Sequence, residues 1–254
     1  MSKRSRILSG IGIAVVVTGA YLYLFGVQTA FGLMERYKFR KLPEAWETPM
    51  PLSDSSISPT VHRQSSFCGY QFELPWDDVY EQKILSAGSV QLTTFRSRNT
   101  FWFSCSPPRS FVDGVIKEMK LDPETFRRAY GDAAFDSDYA FYRAMLSVTP
   151  DSITLLTPRQ QVARDSMLLL LKIMAMPPTD SGISLVKTPQ FKGFQFGSPQ
   201  ARPIGISDEL YADDGEIDVV FFQNKHSSAP AVSQAEINRV IQSVRKIGIQ
   251  KMLR

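Results

Sequence analysis

The chain has 254 residues, a formal net charge of +4 at pH 7, two cysteines and two histidines. Its length allows one anchor plus one domain of ordinary size. The positive charge does not point to nucleic acid: residues 1–41 carry seven Lys/Arg and one acid, which leaves 22 basic and 24 acidic residues over 42–254.

From Ile7 to Met34 no residue is charged, and Lys3, Arg4 and Arg6 precede the stretch. At 1.5 Å per residue the part from Ile7 to Phe25 spans roughly 28 Å as a helix, close to the thickness of a bilayer's hydrocarbon. Ile7, Ile11, Val15, Val16, Leu22 and Phe25 are its lipid-facing candidates, and Tyr21, Tyr23, Phe31, Tyr37 and Phe39 resemble an interfacial aromatic belt. A cleaved signal peptide is the alternative, but its exits here, Val27-Gln28-Thr29 and Gln28-Thr29-Ala30, lack the small-x-small pattern. Residues 1–41 are therefore expected to be a transmembrane anchor with basic flanks. Arg36, Lys38, Arg40 and Lys41 balance the three basic residues before the span, so charge does not choose a side.

Residues 42–66 are rich in Pro and Ser and without apolar periodicity, which predicts a linker. A globular domain is expected over 67–247. Phe67–Leu74, Gly88–Phe95 and Thr100–Cys105 alternate as strands, the last two joined at Ser97-Arg98-Asn99. Alternation puts Cys68 and Cys105 on apolar strand faces. If those strands are neighbours a disulfide can form, which would favour an oxidising, extracytoplasmic side; two buried thiols are the alternative.

Helical spacing follows. Ser110 and Asp113 resemble a capping box, Asp122-Pro123-Glu124 starts a second helix that Gly131 stops, and Ser137–Leu146 is a third. Thr157-Pro158-Arg159-Gln160 opens a fourth, whose run MLLLLKIMAM from Met167 is apolar nearly all round except at Lys172 and predicts the domain's most buried helix. Strands return at Ile183–Lys187, Phe191–Phe196, Ile204–Tyr211 and Ile217–Gln223, the last pair turning at Asp213-Asp214-Gly215. Ser233 and Glu236 cap an amphipathic helix through Ile237, Val240, Ile241 and Val244, and residues 248–254 form a basic tail. Two groups of strands separated by helices predict an α+β domain, an antiparallel sheet with packed helices preceded by one transmembrane helix.

GYQFELPWDDV at Gly69–Val79 and EINRVIQSVR at Glu236–Arg245 resemble the edges of the Mog1/PsbP-like α-β-α sandwich family. That family includes photosystem subunits, transport-factor binders and anchored bacterial lipoproteins, so the resemblance implies an interaction module rather than a reaction. It carries over no functional residue, and the helical segments between Ser110 and Met176 do not fit the family's pattern.

Chemistry is sparse. A Ser-His-acid triad would need His62 or His226, and neither lies near a G-x-S-x-G elbow. No zinc-ligand spacing and no phosphate-loop motif occurs. Asp132, Asp136 and Asp138 read as favourable charge at a helix start, and Asp213, Asp214, Glu216 and Asp218 lack the spacing of a calcium loop. Asp77 and Asp78 would need a further acid across a cleft to form a catalytic pair. No cofactor is expected. The sequence thus predicts a single-pass membrane protein whose non-catalytic, extracytoplasmic domain binds a protein partner or an envelope component. Its alternatives are a small apolar ligand held under the Met167–Met176 helix and an anchored enzyme using Asp77, Asp78 or Asp132.

Overall fold

A computed structural model describes residues 32–85, 88–118, 120–155, 157–175, 182–199, 205–213, 215–224, 226–227 and 231–247. The anchor residues Ile7, Ile11, Val15, Val16, Leu22 and Phe25 and the tail 248–254 lie outside them. Among the described residues no helix is long and apolar enough to cross a membrane.

The domain is mixed α+β, built on an eight-stranded sheet. Its strands are β1 (Met50–Pro51), β4 (Val79–Leu85), β5 (Val90–Phe95), β6 (Thr100–Ser106), β7 (Ile183–Lys187), β8 (Lys192–Phe196), β9 (Ile206–Ala212) and β10 (Gly215–Phe222). They lie in the order β1-β7-β8-β9-β10-β6-β5-β4, antiparallel throughout except for the parallel β1–β7 pair. A small second sheet, β11-β3-β2, is made of β2 (Gln64–Phe67), β3 (Tyr70–Glu73) and β11 (Arg245–Lys246). Residues 32–39 form helix α1, followed by α2 (Ser110–Glu118), α3 (Pro123–Tyr130), α4 (Asp132–Asp136), α5 (Asp138–Ser147), α6 (Arg159–Ala175) and α7 (Gln234–Ser243).

Alternation along the strands gives the large sheet two different faces. On one, Phe95, Phe101, Phe103, Leu210, Ile217, Val219 and Phe221 are buried against Phe72 and Leu74 of the small sheet's side and Ile237, Val240 and Ile241 of α7. Phe72 stacks on Phe103 with ring centroids 4.0 Å apart. On the other face Ile183, Phe194, Phe196 and Tyr211 pack with Phe126, Phe141, Leu146, Val162, Leu168 and Leu169 of the helices. Gly193 is fixed by close approach, because a Cβ there would stand 1.9 Å from the Glu209 carbonyl oxygen.

Helix boundaries follow the sequence signals closely. Asp122 accepts from the Thr125 N–H at 2.9 Å ahead of α3, and Ser233 and Glu236 form a reciprocal capping box on α7. At α2, however, Asp138 takes the capping role expected of the Ser110–Asp113 box, accepting from the Phe111 and Val112 N–H groups at 2.7 and 2.9 Å.

Two other expectations change, and one strand appears where none was expected. Phe67–Leu74 is not one strand but the far half of a hairpin, since Cys68 and Gly69 both have positive φ, 50° and 78°, and turn the chain between β2 and β3. Cys68 therefore sits in a turn, not on a strand face. β4 carries no clean alternation because it lies at the sheet edge with nearly every residue exposed. Residues 42–66, read from composition as a linker, lie along the domain. Met50 and Pro51 pair with β7, Asn238 of α7 donates to the Asp54 and Ser56 carbonyls at 2.9 and 2.8 Å, and Ser58 N–H bonds to Ala235 O. Those contacts run through backbone groups, which leave no periodic trace in a sequence.

The long apolar run of α6 is turned differently from its reading. Leu168 and Leu169 are buried, but so is Lys172, while Met167, Leu170 and Met174 are exposed. The Lys172 ammonium donates to the carbonyls of Ala45, Glu47, Leu146 and Val148. It thereby ties α6 to the end of α5 and to the turn after α1. Burial pulls its pKa down to about 8, with the charge of Glu47 opposing. Replacing it by the apolar Lys172→Met leaves these carbonyls without their donor, so we expect a loss of about 2–4 kcal/mol in urea unfolding. An unchanged midpoint would show that this cage contributes nothing to stability.

Candidate functional site

The helices cover only part of their face of the large sheet. Register places Leu92, Trp102, Val220 and Ser207 in one row across β5, β6, β10 and β9, and Thr94, Thr100 and Phe222 in the next. None of these side chains is buried, in contrast to their neighbours Phe101, Phe103, Val219 and Phe221, which point to the opposite face. Trp102 is 40% exposed and meets Phe222 edge-on, with ring centroids 5.2 Å apart. An aromatic pair left open on a flat sheet is a surface of the kind that docks a partner.

Beside this platform, one row further along the strands, the sheet turns acidic. Glu209 and Asp218 face each other across β9 and β10, with Ser104 opposite Asp218 on β6. Two residues on, Glu216 lies beside Tyr211. Ser104 donates to Asp218 at 3.1 Å, Tyr211 donates to Glu209 at 2.7 Å, and Ser110 donates to Glu216 at 3.3 Å. Asp138 at the head of α5 completes the group from the helical layer, where both its oxygens cap α2 and its charge acts on Glu216.

So many acids near one another cannot all ionise cheaply. Burial, followed by the hydrogen bond and the charge of Asp138, pushes Glu216 up to about 9. Burial also raises Glu209 to about 7, against the opposing hydrogen bond from Tyr211. Asp218 is raised by burial. At neutral pH Glu216 thus keeps its proton, which leaves the margin less negative than its composition. A cation arriving beside it would draw those protons off.

The residues singled out from the sequence fall elsewhere. Cys68 and Cys105 are joined, with Cα atoms 6.5 Å apart, and fasten the β2–β3 turn to the end of β6. Asp77 holds His62 Nδ1 at 3.3 Å and accepts from the Arg63 N–H, and Asp78 accepts from the Ser97 N–H at 2.7 Å. Both fasten turns. Asp132 is exposed in the first turn of α4, Asp213 in the β9–β10 turn, and His226 in a surface turn. Among the described residues no group of three or more His, Cys, Asp or Glu is placed to hold a metal ion. Of the acids considered, Asp138, Glu216 and Asp218 do meet, joined by Glu209. Alternation from Ser207 to Tyr211 puts Glu209 on the Tyr211 face, but only the pairing of β9 with β10 reveals Asp218 opposite it.

The raised carboxylates set a pH dependence. Folded, Glu216 holds a proton that the unfolded chain releases near 4.5, so the folded state binds more protons between about 4.5 and 9 and stability falls as pH rises through that window. Glu216→Gln keeps the size of the side chain and removes the titration. Its urea midpoint should decline less steeply than that of the parent between pH 7 and 9; parallel profiles would mean that Glu216 is ionised in the fold. Compared with family models, characterised proteins and solved structures, the chain matches none, so the functional reading rests on this geometry.

Proposed function

We propose that the chain is a single-pass membrane-anchored protein whose α+β domain binds a protein partner on the uncovered half of its large sheet. The observation that carries this reading is the open Trp102–Phe222 platform with its carboxylate margin. Aromatic anchors surrounded by polar groups are the usual centre of a binding surface, and an acidic border selects for a basic partner. The similarity of two segments to the Mog1/PsbP-like family points the same way, toward an interaction module. The uncharged stretch Ile7–Met34 supports the anchor, and the Cys68–Cys105 bond supports placing the domain on the extracytoplasmic side.

Photo-crosslinking from position 92 in intact cells, followed by pull-down, tests the platform directly. A protein adduct is expected, and Trp102→Ala with Phe222→Ala should lower its yield by roughly tenfold or more, as the loss of two central aromatics does. An adduct that survives both substitutions, or a glycan in place of a protein, would reject this reading.

A second reading follows from a different observation. Between α7, β7–β9 and residues 52–57 lies a cavity of about 200 Å³, lined on one part by Leu52, Ile57, Leu185, Val186 and Ile241 and on the other by polar residues, Asp208, Gln195 and Asn238 among them. It lies under α7, not under the Met167–Met176 helix. Asp208 is fully buried, and neither of its oxygens has a hydrogen-bond partner among the described residues. Burial raises its pKa well above the usual range, so the neutral acid brings one donor and one acceptor to a cavity of mixed lining. A ligand here would be small, with an apolar side and a polar side. Native mass spectrometry should then show bound mass on the parent and not on Asp208→Leu; a clean apo mass for both would assign the cavity to water.

A further inference from the structure

We propose that the outer side of α1 together with the exposed stripe of α6 is a seat on the lipid bilayer, so that the domain lies down against the head groups. This rests on the anchored reading above.

The start of α1 is pressed onto α6. A Cβ at Gly32 would stand 2.4 Å from Val162 Cγ1 and 3.0 Å from Ser166 Oγ, so the two helices touch through a residue without a side chain. Four residues later, Arg36 reaches the Ile153 carbonyl at 3.0 Å and Asp151 at 2.8 Å. Followed backward from Arg36 to Gly32, the chain therefore moves from the turn before α6 onto its second helical turn, heading for its C-terminal half. Leu170 lies one turn beyond Ser166 on nearly the same line, and Met167, Leu170 and Met174 recur at the i, i+3, i+7 spacing of one helix face. All three are exposed, Met174 by 74%.

The α1 side matches this stripe. Met34 and Tyr37 are exposed at 47% and 61%, and Lys41 lies over the Tyr37 ring at 5.6 Å. Lys38 and Arg40 are exposed beside them. Trp46 donates its indole N–H to the Arg40 carbonyl at 2.9 Å and leaves much of its ring open. Methionine and leucine flanked by tyrosine, tryptophan and lysine is the composition of a membrane interface, apolar below and cationic at head-group level. The occupant is fixed by position. The uncharged stretch that precedes Gly32 ends where this surface begins, so lipid that holds the one must meet the other.

The test uses the full chain in phosphatidylcholine–phosphatidylglycerol vesicles. An environment-sensitive fluorophore is placed on Met174→Cys, on Met167→Cys as a second site on the stripe, and on Tyr80→Cys at the sheet edge opposite β1 as the control. Lipids carrying a nitroxide near the head group are the quencher. Both α6 labels should shift to the blue and lose most of their emission, and the Tyr80 label should keep its own. If the protein sediments with the vesicles while the α6 labels stay as bright as the control, the anchor holds and the seat is wrong. Equal quenching at all three sites also rejects it. Protein left in the supernatant would remove the anchor and the seat together.

Discussion

The large sheet has to be covered on both faces, and the chain brings enough apolar structure to cover one face fully and the other in part. The α7 side is closed by a layer of aromatic and aliphatic side chains, with Phe72, Phe101 and Phe103 completely buried. The helical side is closed only where Phe194, Phe196 and Tyr211 meet α5 and its neighbours. At 25 cal/mol per Å², leaving a tryptophan and a phenylalanine partly in water costs the fold a few kcal/mol of available burial. A sheet face that stays open at such a cost is where a second molecule can supply the missing layer.

The boundary between the covered and the open halves explains the acids. A helix start needs acceptors for its first N–H groups, and Asp138 provides them for α2 while standing in the first turn of its own helix. That places a buried carboxylate over the edge of the helical layer, directly against β10. Glu216 and Asp218 then face it by alternation, and Glu209 by strand pairing. The cluster is thus a consequence of capping a helix above a sheet margin, and its raised pKa values follow from that burial. Its chemistry is nonetheless available to whatever docks beside it, because Glu209, raised only to about 7, can give up its proton to a nearby cation.

Much of this architecture was legible in residues. The hairpins at Ser97-Arg98-Asn99 and at Gly215, the stop at Gly131 and the Ser233–Glu236 box each use local chemistry that a short window contains. What stayed hidden depends on contacts between distant parts of the chain. The run from Met167 to Met174 looks buried because seven of its eight residues are apolar, yet which side faces inward is set by four carbonyl oxygens around Lys172, all of them on segments more than twenty residues away. The acidic margin was hidden for the same reason, since register alone brings Glu209 to Asp218. Composition also misled over residues 42–66, where proline and serine suggested free chain and backbone hydrogen bonds hold it to α7.

That docking changes what an anchor would do. A free spacer of this length could hold the domain tens of ångströms from the head groups, whereas residues 42–66 are spent on β1, the strap over α7 and β2. At Gly32 the chain is pressed onto α6, so those residues add no spacer between the start of α1 and the domain. Anchored as proposed, the domain would present its open sheet face close to whatever shares the membrane surface. Sharing that surface before encounter lowers the translational entropy lost on binding, which suits a modest platform such as Trp102–Phe222 to a partner confined to the same bilayer.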